Sequence, residues 1–364
     1  MKHVLKRTLL ALIVLIPGLS IAQRDSLDIK IGQMILVGVA EQQLDSSSII
    51  LKEIREGKVG GVILFEKNIT EKNSYIHLKQ LTYQLQSAAT IPLFVAIDQE
   101  GGRVNRLKTK YQFPKSVTSE YLGTLDNVDS TNFYGAITAS TLAGLGFNVN
   151  FAPVVDLSIN PDNPIISKFG RAFSADPEIA AKHASIIVEQ HRKYGVVTVL
   201  KHFPGHGSSL ADTHLGIADV TEYWQEEELS PYKIMLDNGK VDAVMTAHIV
   251  NKKLDKKGNP GTLSKKIITD LLREELGHNG VVFTDDMQMH AITEHFGFEK
   301  SIEMSLKAGV DVMLFSNNIQ GSDNRTVDAV YKVIRQLVAD GEITEERIDA
   351  SYQRIMKLKK ERLL

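Results

Sequence analysis

Eight short, almost continuous apolar runs punctuate the chain, at 34–39, 61–65, 93–98, 149–156, 196–202, 243–249, 281–285 and 311–315. They are rich in Val, Ile, Leu and Phe and do not alternate with polar residues. Strands covered on both faces read this way, and double covering is typical of parallel sheets. Between the runs, apolar residues recur at helical spacing. This predicts helices over 75–89, 131–145, 177–194, 226–237, 265–276, 300–308 and 326–339, and a charge-laced last helix over 345–363. Helix punctuation agrees. Ser264 stands where an N-cap is expected, Pro177 opens its helix after Asp176, and Gly239, Gly277 and Gly309 follow helical segments as stops.

Eight strands alternating with about as many helices predict an α/β fold, a single (β/α)8 TIM-like barrel with a C-terminal helix. A doubly wound open sheet is the rival, but no G-x-G-x-x-G follows the first strand. No Pro/Ser linker, low-complexity run or internal repeat divides the sequence, so residues 23–364 are read as one catalytic domain. Residues 1–22 are read apart from it. Lys2, Lys6 and Arg7 precede the apolar run 9–16, and Ser20-Ile21-Ala22 offers small residues at a cleavage site. This is the pattern of a secretory signal, shorter than a comfortable membrane span; an uncleaved anchor is the alternative. The expectation is an exported protein, periplasmic or secreted, with no stable membrane insertion after cleavage.

Composition narrows the chemistry. The chain of 364 residues has 42 basic and 44 acidic side chains, a formal charge of −2, 43% apolar residues and no cysteine. Removing residues 1–22 takes away three basic groups and no acidic one, leaving about −5. Disorder and nucleic-acid binding through a basic surface are therefore not expected. Disulfides, zinc-thiolate sites and a cysteine nucleophile are excluded by the absence of cysteine.

In such a barrel, chemistry sits at the C-terminal ends of the strands. There the sequence places Asp98-Gln99-Glu100 with Arg103 and Arg106, then Asp156 with Arg171 further on, then Lys201-His202 followed by Asp212-Thr213-His214. His248, Asp285-Asp286 and Ser316-Asn317-Asn318 end the later runs. Asp285 directly follows an apolar strand, so its backbone is rigidly fixed, as a nucleophile or transition-state stabiliser requires. Asp286 is read as structural, a cap on the following helix. Asp212 and His214, two apart in an extended loop, project to one side. The carboxylate then fixes the imidazole tautomer and favours its charged form, giving a general acid that later serves as base; a pair that merely holds the loop closed fits the same spacing. Lys201 and His202 end a strand, so one is expected to face the barrel centre and the other the helices. Gly101-Gly102 and Gly205 allow close backbone approach, but neither segment matches a phosphate loop. His202, His206, His214 and His248 with Asp285 keep a metal-dependent barrel hydrolase open as an alternative, although no H-x-H or H-E-x-x-H occurs.

Four stretches carry a family resemblance: 98–106 (DQEGGRVNR), 201–207 (KHFPGHG) with Asp212-Thr213-His214, 245–248 (MTAH) and 281–287 (VVFTDDM). Arg171-Ala172-Phe173-Ser174 with Asp176-Pro177 adds a fifth. Over roughly residues 28–320 the chain resembles glycoside hydrolase family 3, in its bacterial β-N-acetylglucosaminidase branch. The resemblance implies Asp285 as nucleophile and His214 as acid/base oriented by Asp212. It implies sugar contacts from Asp98, Arg106, Arg171, Lys201 and His202. The implied activity is retaining hydrolysis of terminal β-linked N-acetylglucosamine, often in cell-wall fragments. A monomer needing no metal or organic cofactor is expected. Thr213 stands where the branch usually has Ser, Ala218 where it often has Pro, and Thr284 where it has Ser. Gly277-His278-Asn279-Gly280 also replaces a Gly-Phe-x-Gly pattern. These departures touch loop rigidity rather than a reacting group. Two further alternatives on the same pocket are phosphorolysis of the same glycoside and sugar binding without turnover.

Overall fold

The computed structural model describes residues 26–213, 216–319 and 326–363. The signal reading at 1–22 and His214 lie outside them. Ten strands occur among the described residues: β1 (Ile35–Gly38), β2 (Gly61–Leu64), β3 (Phe94–Ile97), β4 (Val149–Asn150), β5 (Val197–Phe203), β6 (Ala218–Asp219), β7 (Ala243–Thr246), β8 (Ile249–Val250), β9 (Val281–Phe283) and β10 (Met313–Phe315). Eight of them form one parallel sheet in the order β10-β1-β2-β3-β4-β5-β7-β9. A parallel bridge between Phe283 and Val312, with Thr284 N donating to Val312 O at 2.9 Å, joins its two ends. The sheet is thus the predicted barrel, and each of the eight apolar runs supplies one of its strands.

Two runs end differently from their prediction. Ladder pairing in 149–156 stops after Asn150 and returns toward β5 only as an isolated bridge between Val154 and Lys201. Pro153 has no N–H to give a ladder there. Run 243–249 leaves the barrel after Thr246, and β8 pairs with β6 in a separate two-stranded sheet. Predicted helices form in every interval, among them Ser74–Ser87, Val128–Leu145, Pro177–Lys193, Phe298–Ala308 and Glu345–Arg362. The caps are as read: Glu178 N donates to Asp176 Oδ1 at 2.8 Å, and Ile267 N to Ser264 Oγ at 3.2 Å. The segment after Ser264 winds as a π-helix, Lys266–Glu275. Among the described residues no helix is long and apolar enough to cross a membrane.

The barrel interior is filled rather than hollow. Phe283 meets Phe94 and Phe151 edge-on, with ring centroids 5.8 and 5.6 Å apart. Below them, Lys359 of the last helix is fully buried, with Nζ 4.4 Å from the Phe94 ring centroid. It donates to Gln33 Oε1 at 2.7 Å and Gly60 O at 2.9 Å, just before β1 and β2. The C-terminal helix therefore closes the floor, and the opposite face is left for the loops.

Candidate active site

The strand ends at that opposite face surround a cavity of about 350 Å³. Asp98, Arg106, Arg171, Lys201, His202 and Asp285 all line it. Thr213 lines it too, which brings the loop carrying Asp212 to the same mouth. Ala291 N donates to Thr213 O at 3.4 Å, so this loop reaches across to the segment that follows Asp285.

One wall is a network of charges. Lys201 Nζ lies 3.0 Å from Asp98 Oδ1 and 2.7 Å from Glu100 Oε1. Arg171 grips Glu100 with two hydrogen bonds, Nε to Oε2 at 2.7 Å and Nη2 to Oε1 at 2.8 Å, and gives Nη1 to Ile165 O at 3.0 Å. Arg106 Nη2 lies 3.3 Å from Asp98 Oδ2. Burial by itself would raise the Glu100 pKa, but the Arg171 and Lys201 charges outweigh it and hold the carboxyl well below the usual range. Lys201 is the mirror case: burial opposes its charge, and Glu100 and Asp98 raise its pKa nonetheless. Lys201 and Glu100 thus stay ionised, and three basic side chains face two acidic ones around the cavity.

Gln99 sets this wall in register. Its Oε1 accepts from Arg106 N and Leu107 N (3.0 and 3.1 Å), and its Nε2 donates to Asn105 Oδ1 at 2.7 Å. Glu100 was legible only as part of a motif. Its bidentate grip on Arg171 spans 71 residues and has no local signature.

Lys201 and His202 both line the cavity, contrary to the expectation that one faces the helices. The register between β5 and β7 shifts between Leu200 and Phe203, which breaks the strict alternation of a strand. His202 Nδ1 is 2.7 Å from Asp156 Oδ2, and Asp156 also accepts from His202 N and His206 N. Burial works against the Asp156 charge, yet His202 and these bonds bring its pKa below the ordinary value. A carboxylate only accepts, so Nδ1 carries the proton. The Nε2 side lies 3.4 Å from Arg171 Nη2. Asp156 is thus a site residue by support, and the sequence showed it only as a strand end.

The loop after β5 is pinned from two sides. Buried Asn163 donates to His206 O and Gly207 O (2.7 and 3.0 Å). Glu228 Oε2 accepts from Gly207 N at 2.8 Å and Ser208 N at 3.3 Å, and burial pushes that carboxyl up to about 7. His206 also lines the cavity, and burial lowers its pKa to about 4, so it is neutral near pH 7.

Asp285 follows β9, with its N–H donating to Thr246 O at 3.3 Å and its Oδ1 accepting from Asp286 N at 2.8 Å. Asp286 also borders the cavity, and it is not the helix cap the sequence suggested. Its Oδ1 accepts from Gln288 N at 3.1 Å and Ser316 N at 3.2 Å, and Oδ2 accepts from Ser316 Oγ. It ties the end of β9 to the end of β10, and burial raises its pKa to about 6. His248 faces elsewhere: its ring nitrogens meet Thr262 Oγ1 at 2.8 Å and Asp286 O at 2.9 Å. The histidine cluster considered for a metal therefore does not assemble around His248. Among the described residues no group of three or more His, Asp or Glu side chains is placed to hold a metal ion.

A parallel barrel with paired acids and bases at its C-terminal mouth is the frame of a TIM-barrel enzyme. Residues 26–358 match the family model described as the glycosyl hydrolase family 3 N terminal domain, and the chain belongs to that family. It is 34% identical over 324 residues to beta-hexosaminidase A of Pseudoalteromonas piscicida, covering 83% of this chain and 53% of that one. It is 33% identical over 272 residues to a beta-hexosaminidase of Tolumonas auensis, covering 74% and 79%. Among solved structures, a glycoside hydrolase family 3 beta-N-acetylglucosaminidase from Paenibacillus sp. str. FPU-7 superposes with a TM-score of 0.84 at 34% identity. That match covers 93% of this chain and 63% of that one. The chain thus spans about half the length of the P. piscicida protein and under two thirds of the Paenibacillus one.

Proposed function

We propose that the protein is a retaining β-N-acetylglucosaminidase that removes terminal β-linked N-acetylglucosamine. One observation carries the reading. A carboxylate at a barrel-strand end, Asp285, lines the same cavity as the five predicted sugar-contacting side chains. Asp98, Arg106, Arg171, Lys201 and His202 would hold the hydroxyls and acetamido group, fixing the anomeric carbon over Asp285. Similarity to beta-hexosaminidases supports the sugar class.

The reaction is a double displacement. An Asp285 carboxylate oxygen forms a bond to the anomeric carbon as the bond to the leaving oxygen breaks. The His214 imidazolium gives that oxygen its proton, and a glycosyl ester of Asp285 remains. Neutral His214 then takes a proton from water, whose oxygen displaces the carboxylate and restores the β configuration. Asp212 steadies the charged imidazole. Residues 1–22 direct export, and cell-wall or other amino-sugar oligosaccharides are the substrates.

Trapping with a 5-fluoro N-acetylglucosaminyl donor followed by mass spectrometry of peptides tests the reading. A labelled peptide containing Asp285 is expected; a label elsewhere, or none while turnover continues, would sink the assignment. In His214→Ala, azide is expected to restore part of the activity on an activated aryl substrate, as a product glycosyl azide.

A further inference from the structure

The wall of the cavity is chemically divided. Its arginines and lysine, with Asp98 and Glu100, follow or end β3, β4 and β5. The sector around Asp285 holds no Lys or Arg among the described residues, and His206, Met245, Met289 and Leu314 line it instead. Three of these are tied to the backbone beside Asp285. Met245 precedes Thr246, whose carbonyl accepts from Asp285 N at 3.3 Å. Met289 N donates to Asp286 O at 3.0 Å, and Leu314 N to Thr284 Oγ1 at 2.9 Å. All three are buried side chains that border the cavity. Asp286, in the same sector, is engaged by Gln288 N and Ser316 N.

His206 completes this neutral sector. The loop that carries it is joined to the end of β7, with Ala247 N donating to Phe203 O at 2.7 Å. Its backbone is held on both sides: His206 N donates to Asp156 Oδ1 at 2.8 Å, and Asn163 Nδ2 donates to His206 O at 2.7 Å. Its ring stands edge-on to His202, with centroids 6.0 Å apart. The residue is 2% exposed, yet neither ring nitrogen has a hydrogen-bond partner among the described residues. Buried polar atoms in folded proteins are nearly always paired. A fixed imidazole on a cavity wall with two unpaired nitrogens is therefore prepared for a partner that enters the cavity.

We infer that His206, with Met245 and Met289 beside it, receives the acyl end of the substrate's 2-acetamido group. The inference rests on the glycosidase reading and deepens it. With the anomeric carbon over Asp285, its two neighbours in the sugar ring are C2 and the ring oxygen. The ring oxygen bears no substituent, so the substituent nearest Asp285, besides the leaving group, is the one on C2. In this substrate it is half neutral amide and half methyl. The imidazole N–H donates to the acyl carbonyl, and the polarisable thioethers pack against the methyl. A charged group in their place would lose hydration against that methyl with nothing in return. The five side chains already assigned hold the sugar along its other edges.

The test uses the full-length protein and two activated substrates that differ only at C2, 2,4-dinitrophenyl β-N-acetylglucosaminide and 2,4-dinitrophenyl β-glucoside. In His206→Phe the ratio of kcat/KM on the first to kcat/KM on the second is expected to fall about tenfold, the scale of one hydrogen bond. A second arm needs neither the glucoside nor a change at His206. Met245→Ala opens space beside the methyl, so kcat/KM on the N-butanoyl substrate relative to the N-acetyl one is expected to rise about tenfold above the parent ratio. Equal losses on both substrates in His206→Phe would mean that the ring only shapes the loop. An unchanged ratio would mean that its nitrogens serve water, and an unchanged acyl preference in Met245→Ala would place the acyl group elsewhere. Each of these overturns the inference while leaving the glycosidase reading intact. A parent protein inert on the N-acetyl substrate overturns the reading and the inference together.

Discussion

The two ends of the barrel hold buried charge in opposite ways. At the floor, Asp311 is fully buried, with Arg273 Nη2 at 2.7 Å, Arg354 Nη1 at 3.0 Å and Ser351 Oγ at 2.6 Å, and it accepts from Val282 N at 2.9 Å. Arg273 also donates from Nη1 to Gly280 O and from Nη2 to Gly309 O, and Arg347 donates to Leu306 O and Val310 O. Lys359 is enclosed by two oxygens and a ring. The Asp311 carboxylate and the Lys359 amine are thus enclosed by partners from the protein itself. At the mouth, Asp98, Glu100, Arg106, Arg171 and Lys201 are paired as well, but every one of them also borders the cavity. The same interaction locks the structure where partners close around a charge. It lines a cavity where they leave one side open.

The comparison breaks most visibly at Asp285. Asp285→Ala is expected to lower kcat by on the order of 10³-fold or more while leaving urea unfolding nearly unchanged. Near-parental turnover would remove Asp285 from the mechanism. Glu100→Gln at the mouth and Asp311→Asn at the floor each leave buried cations short of an anion, at a cost of about 3–5 kcal/mol in unfolding free energy. They should part company in kinetics. Glu100→Gln is expected to lose activity because Arg171 and Lys201 shift, whereas Asp311→Asn keeps kcat within about twofold wherever it is folded. Equal kinetic damage from the two would erase the distinction between the ends.

The most gradual effect is a pH slope at the floor. Burial lowers the Lys359 pKa to about 7, against about 10.4 for an unfolded lysine. Between those values the unfolded chain binds more protons than the folded one, so stability rises with pH across that window. The slope is at most about 1.4 kcal/mol per pH unit. Urea unfolding from pH 7 to 10 should show it in the parent protein and lose it in Lys359→Met. The same slope in both proteins would place its origin elsewhere.

Legibility followed locality. Asp285 and the 201–207 motif were visible because a strand end or a fixed string of residues marks them without reference to the rest of the chain. Asp156 and Glu100 were present in the sequence but unassigned, since their roles are contacts with His202 and Arg171 across 46 and 71 residues. The alternation rule misplaced Lys201 and His202 because it assumes an unbroken ladder, and the β5–β7 register shifts between Leu200 and Phe203. His248 stayed in the metal alternative because histidine spacing says nothing of where a ring points.

By itself the sequence determined the barrel: uninterrupted Val/Ile/Leu runs can satisfy both their backbone groups and their apolar faces only between helices in a parallel sheet. It also determined which side chains stand at the strand ends. Tertiary structure alone decided which of those charges are enclosed and which border the cavity. That outcome depends on partners drawn from distant segments, and electrostatic pairing at a few ångströms leaves no periodic trace along the chain.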